Sequence, residues 1–173
     1  MKSLSLKAYY IIGFISIILL IGLDQVTKFL AVKFLYDGTV IDIIPNVFCL
    51  KYLENRGAAF GMLQDQLIFF VIITTVLLVV MPYIYSRIPL EARYNPMRFC
   101  AILLYSGAIG NMIDRIRLNY VIDFLYFELI DFPIFNVADI YVTVTCAIFF
   151  LLMIFYYKEE ELDNIKLWNK KEK

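Results

Sequence analysis

Four stretches free of charged residues dominate the chain, at 8–23, 66–86, 99–113 and 140–157. Crossing the hydrocarbon core of a bilayer takes about 20 residues in a helix, with a lower limit near 17. The second and fourth stretches suffice as they stand. The first and third reach that length by running on into helix-compatible flanks, which gives spans at about 8–28, 66–86, 97–114 and 138–157. Lys2 and Lys7 before the first apolar run have the look of a signal peptide. No small-x-small cleavage site precedes Asp24, however, and the run continues into "DQVTKFLAVKFL", so a retained first helix is expected.

The connections differ in pattern. Between the first two spans, about 36–65, the segments "TVIDII" and "NVFCLKYLEN" are rich in β-branched and aromatic residues in partial alternation. Pro45-Asn46 stands between them as a turn would. The expected fold is therefore an all-α membrane protein of four transmembrane helices, with a small extracytoplasmic β-element lying on the membrane between the first and second. "RGAAFGML" follows, where Gly57 and Gly61 flank small residues. The tail from 158 to 173, "KEEELDNIKLWNKKEK", reads as a solvated charged extension. No repeat or linker divides the chain, and one membrane-embedded domain is expected.

Composition supports the membrane reading. The 173 residues are 62% hydrophobic, against roughly 45–50% apolar in ordinary soluble domains, and mean hydropathy is +0.75. The formal net charge is zero and no basic face is concentrated anywhere, which argues against nucleic-acid binding. Lysine and arginine set the orientation. With four spans, ten of them fall on the side of the termini: Lys2, Lys7, Arg87, Arg93, Arg98, Lys158, Lys166, Lys170, Lys171 and Lys173. Six fall opposite: Lys28, Lys33, Lys51, Arg56, Arg115 and Arg117. Both termini are therefore expected in the cytoplasm, with the two longer connections outside.

The chain has no histidine, which removes Ser-His-Asp and Cys-His catalysis and HExxH-type metal sites. Cys49, Cys100 and Cys146 match no metal pattern. Cys100 and Cys146 read as small lipid- or core-facing residues, and no cleavage sequence precedes any cysteine to make the chain a lipoprotein. Neither a metal nor an organic cofactor is called for.

The informative residues are polar ones at membrane depth, where an Asp at mid-span costs about 2.5–3.5 kcal/mol and is usually paired or functional. Asp24 and Lys28 stand at i and i+4 in the acid-then-base order that favours an ion pair on a helix. Asn55, Arg56 and Gly57 close the outer β-element, as a turn or as a substrate-contacting loop. Asn111, Asp114 and Arg115 share one helical face beyond the third span, with Arg115 the natural neutraliser of Asp114. Gly107 and Gly110 remove bulk nearby and permit close helix approach. Asp123 lies between apolar neighbours in "YVIDFLYF". Asn136 and Asp139 stand one turn apart at the mouth of the fourth span, after Pro133, with Asn136 placed to cap that helix.

The third and fourth spans deliver carboxylates to one outward level. Two carboxylates in a low-dielectric site cannot both ionise readily, so one keeps a proton while the other acts as base. That arrangement activates water against an amide carbonyl, with the protonated partner assisting at oxygen or nitrogen. On chemistry alone Asp114, Asp123 and Asp139 all remain candidates.

Five blocks carry a resemblance: "DQVTK", "NRGAAFG", "GAIGNMIDR", "VIDF" and "FNVAD". In this order, over nearly the whole chain, the sequence resembles the bacterial lipoprotein signal peptidases (signal peptidase II), a family of membrane aspartic peptidases. Ser106-Gly107 stands where that family usually has Gly-Gly, a small change in local packing. The resemblance implies hydrolysis of the peptide bond before a diacylglyceryl-modified cysteine, releasing a prolipoprotein signal peptide. It implies that Asp123 and Asp139 are the catalytic dyad, and that Asp114, Asn111 and Arg115 form a supporting shell. Asp24, Lys28, Asn55, Arg56, Gly57, Gly110, Val121, Asn136 and Ala138 fall at further supporting or substrate-contacting positions. A β cradle on the bilayer surface, contact with membrane lipid and sensitivity to globomycin-type cyclic peptides are implied as well. The expected location is the bacterial cytoplasmic (inner) membrane, with the site at its outer face.

The residues alone also admit a non-enzymatic transporter or flippase-like subunit using buried acids as a proton relay. The short chain without repeated halves speaks against it. A presenilin-type protease would want a Gly-x-Gly-Asp block within a span, and "GAIGN" does not supply one.

Overall fold

The computed structural model describes residues 5–57, 66–163 and 165. Lys2, the stretch from Ala58 to Asp65 that contains Gly61, and the tail residues 164 and 166–173 lie outside the described residues. Among the described residues, four helices are long and apolar enough to cross a membrane: Leu6–Leu35, Leu67–Arg87, Ala92–Leu118 and Val137–Tyr156. They contain α1 (Leu6–Leu35), α2 (Leu67–Arg87), α3 (Asn95–Leu118) and α4 (Val137–Leu151), the last prolonged by a wider π turn, Leu152–Tyr156. The chain is a multi-pass membrane protein.

α1 has 30 residues, which at 1.5 Å per residue is about 45 Å, well beyond a hydrocarbon core of about 30 Å. Its C-terminal third serves as a post against which the sheet packs. Ala31 and Leu35 on that post bury with Ile122 and Phe124 in one hydrophobic cluster.

The expected β-element is present, as a hairpin of β1 (Val40–Ile44) and β2 (Phe48–Asn55). Its turn holds Asn46 at φ 58°, a left-handed conformation that asparagine tolerates. A third strand, β3 (Val121–Tyr126), joins from beyond α3 and adds to the two strands expected from the sequence. The sheet is antiparallel in the order β1-β2-β3, with Asn55 opposite Val121 and Leu53 opposite Asp123. Asn119, left-handed at φ 66°, ends α3 and reverses the chain into β3. α3 itself continues to Leu118, so Asn111, Asp114 and Arg115 lie within the helix and not beyond it.

α3 is the hub, against which α1, α2 and α4 all pack. Its approach to α4 requires the small residues expected there. A Cβ on Gly107 would lie 2.6 Å from the Ala138 carbonyl oxygen, and one on Gly110 would lie 3.3 Å from the Ala138 Cβ. α2 has no fully buried residue.

The described part of the tail differs from the solvated extension expected. A short helix α5 (Glu159–Asp163) folds back against the start of α3. Arg93 holds Glu161 through Nε at 2.8 Å, and Leu162 and Ile165 pack on the cluster of Ile88, Tyr94, Met97 and Tyr157. Apolar residues at 162 and 165 among the charges give that stretch a face to bury. Cys100 is buried and Cys146 exposed on the apolar surface, as expected for core- and lipid-facing residues.

Candidate active site

α1, α3, α4, β2 and β3 each contribute polar side chains to one continuous network. Its inner part is a buried ionic knot. Asp24 is 0% exposed and Lys28 1%. The Lys28 ammonium donates to Asp24 Oδ2 at 3.0 Å, Asp114 Oδ2 at 2.8 Å and Asn111 Oδ1 at 2.9 Å. Asp24 Oδ1 accepts the Ala138 N–H at 2.9 Å, which ties α1 to the first turn of α4. Asp114 Oδ2 accepts the Ile122 N–H at 3.2 Å, which ties α3 to β3. Gln25 Nε2 lies 3.1 Å from both Asp24 Oδ2 and Asp114 Oδ1. Buried charges are tolerable only when paired and hydrogen-bonded in this way, and removing one partner of such a group costs about 3–5 kcal/mol.

The spacing Asp24–Lys28 does produce an ion pair, buried rather than interfacial. Arg115, however, is not the neutraliser of Asp114. Lys28 takes that position, and among the described residues Arg115 makes no ion pair. Its guanidinium lies 4.6 Å from the centre of the Phe70 ring of α2. The i, i+1 relation of Asp114 and Arg115 turns them to different neighbours; one faces α1 and the other the cavity.

The outer part of the network surrounds Asp123 and Asp139. Asp123 Oδ1 accepts from Asn136 Nδ2 at 2.6 Å and Oδ2 from Asn55 Nδ2 at 2.8 Å. Asp139 Oδ1 accepts from Asn111 Nδ2 at 2.8 Å, and Oδ2 from the Asn136 backbone N–H at 3.1 Å. Asn136 is the N-cap of α4, as expected, its Oδ1 accepting the Asp139 N–H at 3.0 Å. This reciprocal cap brings Asp139 to the helix mouth. Asn55 is held in turn by the Gly57 N–H on its Oδ1 at 2.9 Å. Burial, followed by the Asp139 carboxylate, pushes the Asp123 acid up to about 7, against the Asn55 and Asn136 amides and the Lys28 charge.

Asp123 and Asp139 open onto one cavity of about 610 Å³, whose lining also includes Asn55, Gly57, Asn111, Arg115 and Val121. That volume is within the range of ordinary ligand sites. Apart from Thr143 the rest of the wall is apolar, with Phe70, Phe127, Phe132, Phe135, Ile134 and Val142 prominent in it. Asp24, Lys28, Gly110, Asp114, Asn136 and Ala138 stand behind this surface and shape it. Gly110 admits the knot, because a Cβ there would lie 2.5 Å from Asp24 Oδ2. Arg56 stands apart from the cavity lining. Its side chain is exposed, 3.5 Å from Glu54 and 5.8 Å from the Tyr120 ring centre.

Gln25, Phe70 and the aromatic wall were not singled out by sequence reasoning. Gln25 is only one amide in a charged stretch. The wall had a visible signal in "YFELIDFPIF", a connection outside the spans with more large apolar residues than a solvated loop needs.

A water held between Asp123 and Asp139 would have an acceptor on either side, and the apolar wall has room for an extended, greasy chain.

The family model for signal peptidase (SPase) II matches residues 16–155. Lipoprotein signal peptidases of Streptococcus pyogenes serotype M1 and serotype M5 (strain Manfredo) are each 46% identical over 151 residues, which is 87% of this chain and 95% of theirs. Two solved structures described as a bacterial membrane enzyme determined by the in meso method, at 2.3 Å and 1.9 Å, are each 29% identical. Their TM-scores are 0.72 and 0.73, with 99% and 90% of this chain covered, and 96% and 98% of theirs. All the residues of the knot and of the cavity fall within the matched region. From the extent of these matches, the chain belongs to the signal peptidase II family.

Proposed function

We propose that this protein is an aspartic endopeptidase that removes the signal peptide from prolipoproteins, with Asp123 and Asp139 as its catalytic dyad. Peptidase activity in lipoprotein processing follows from the family. The aspartic mechanism and the two residues are the reading that the geometry supports best. The observation that carries it is the sharing of one cavity by two carboxylates that Asn136 holds together, by its side-chain amide on one and its backbone N–H on the other.

Among the described cavity-lining residues, Asp123 and Asp139 are the carboxylates. One of them ionised takes a proton from the water between them as its oxygen attacks the scissile carbonyl carbon. The other, protonated, donates to the carbonyl oxygen as the C=O π pair moves onto it. When the tetrahedral intermediate collapses, the C–N bond breaks, the leaving nitrogen takes up the proton now on the base, and a hydroxyl of the intermediate returns its proton to the acid as the C=O bond re-forms. A dyad member held near pH 7 is suited to the protonated role. The apolar wall beside the carboxylates suits a substrate with a diacylglyceryl-modified cysteine and membrane lipid around it, and it suits a globomycin-type cyclic peptide in the same place. The excess of lysine and arginine on the side of the termini supports cytoplasmic termini and a site at the outer face of the bacterial cytoplasmic membrane.

The test is turnover of a diacylglyceryl-modified lipobox substrate by the purified protein in detergent, with and without globomycin. Asp123→Asn and Asp139→Asn are each expected to lower kcat by at least about 10³-fold, while the folded variants still bind the inhibitor. Undiminished turnover by both variants would refute the dyad.

A further inference from the structure

Lys28 touches neither Asp123 nor Asp139 and does not reach the cavity, yet it is the one group in the network that can only donate. An ammonium has three N–H bonds and no lone pair, and its three partners are Asp24, Asp114 and Asn111. Whatever faces it from Asn111 must therefore be the amide oxygen. Once that end is fixed, the Asn111 NH2 points the other way, to Asp139 Oδ1 at 2.8 Å.

The constraint passes on. The Asn111 oxygen has a second lone pair, which accepts from Asn136 Nδ2 at 3.1 Å. Asn136 must therefore turn its own NH2 inward, and its remaining hydrogen goes to Asp123 Oδ1 at 2.6 Å. Its oxygen is left for the Asp139 backbone N–H at 3.0 Å. With Asn111 reversed, an NH2 would face the ammonium and the Asn136 NH2, and an oxygen would face the Asp139 carboxylate. Each of those contacts is repulsive.

We propose that Lys28 is a positioning residue of the reaction: by fixing the orientation of two asparagine amides, it aims one side-chain N–H at each aspartate of the dyad. Each carboxylate thereby accepts one side-chain amide N–H on its Oδ1, beside the bonds that Asn55 makes to Asp123 Oδ2 and the Asn136 backbone N–H makes to Asp139 Oδ2. This inference rests on the dyad reading above.

The experiment compares Lys28→Met, Asn111→Asp and Asp139→Asn with the unaltered full chain in detergent. Folded sites are counted by globomycin binding, and kcat and KM are measured separately. Lys28→Met is expected to lower kcat per folded site by about 100-fold with KM within about threefold, since aiming the dyad concerns the transition state more than ground-state binding. A purely structural Lys28 would instead lower the number of folded sites and leave kcat per site unchanged. Asn111→Asp guards against a Lys28 variant that does not fold. It keeps an oxygen acceptor for Lys28 and replaces the N–H to Asp139 by a carboxylate oxygen, and kcat is expected to fall by at least a similar factor. Wild-type kcat per site in Lys28→Met, or in Asn111→Asp, with Asp139→Asn inactive, would overturn the positioning role and leave the dyad standing. Activity in Asp139→Asn would overturn the dyad reading itself, and this inference with it.

Discussion

Two glycines in transmembrane helices should respond to the same substitution in opposite ways. Alanine is favoured over glycine inside a helix by about 1 kcal/mol. At Gly22 of α1 nothing lies within 4 Å of where a Cβ would sit, so Gly22→Ala should gain most of that. At Gly110 the same gain meets a carboxylate. The added Cβ would be 2.5 Å from Asp24 Oδ2 and 3.1 Å from its Cγ. Reaching an ordinary contact of about 3.4 Å requires a shift of roughly 0.9 Å. Asp24 is not free to make it, because it is held by the Ala138 N–H, by Lys28 and by Gln25. Overpacking of this kind costs about 1–3 kcal/mol, and loss of one charge-assisted hydrogen bond about 1.5–3 kcal/mol. After the helix gain, Gly110→Ala is expected to destabilise by about 2–5 kcal/mol. Because Asp24 anchors Ala138 in the first turn of α4, Asp139 should shift with it and turnover should be lost. The assays are thermal unfolding in detergent and turnover of the lipobox substrate, with both variants side by side. A Gly110→Ala protein as stable and as active as Gly22→Ala would refute the packing argument.

Three other expectations follow from the geometry. The folded state holds the Asp123 proton up to about pH 7, whereas an unstructured chain releases it near 3.8. The stability from this group is therefore fully present below pH 3.8 and lost as pH rises through about 7. Thermal unfolding of the wild type between about pH 4 and 8 should show that decline and Asp123→Asn should flatten it; equal slopes would count against it. Asn136→Ala removes a helix cap, worth about 1 kcal/mol, and a hydrogen bond to a buried carboxylate, worth about 1–3 kcal/mol. The expected loss is about 2–4 kcal/mol together with turnover, read by unfolding and by kcat. Arg115→Lys keeps the charge but gives up the guanidinium contact with the Phe70 ring; steady-state kinetics should show a severalfold rise in KM with the melting temperature little changed.

Much of this protein was legible in the chain itself. Apolar runs of membrane length can do little but span a bilayer, because backbone groups in hydrocarbon must pair within the segment. β-branched alternation around Pro45-Asn46 marked the hairpin. Asp24–Lys28 and Asn136–Asp139 were readable because their contacts are local, set by the helical repeat and by capping. The long-range partners were not. Arg115 looked like the natural partner of Asp114 from adjacency alone, and the choice of Lys28 instead was made by the packing of α1 against α3 around Gly110. Asp123 lies in "YVIDFLYF", whose apolar surroundings gave no sign of strand or helix; only pairing with β2 made it a strand and set it beside Asn55. Gln25 and Phe70 acquired roles only when three helices met. Local periodicity decides which elements form, since it depends on neighbours a few residues away. Which side chains meet across elements depends on how closely helices can approach and on where a buried charge finds its complement. In this molecule the tertiary structure decided both at one place, where a glycine on α3 makes room for an aspartate on α1.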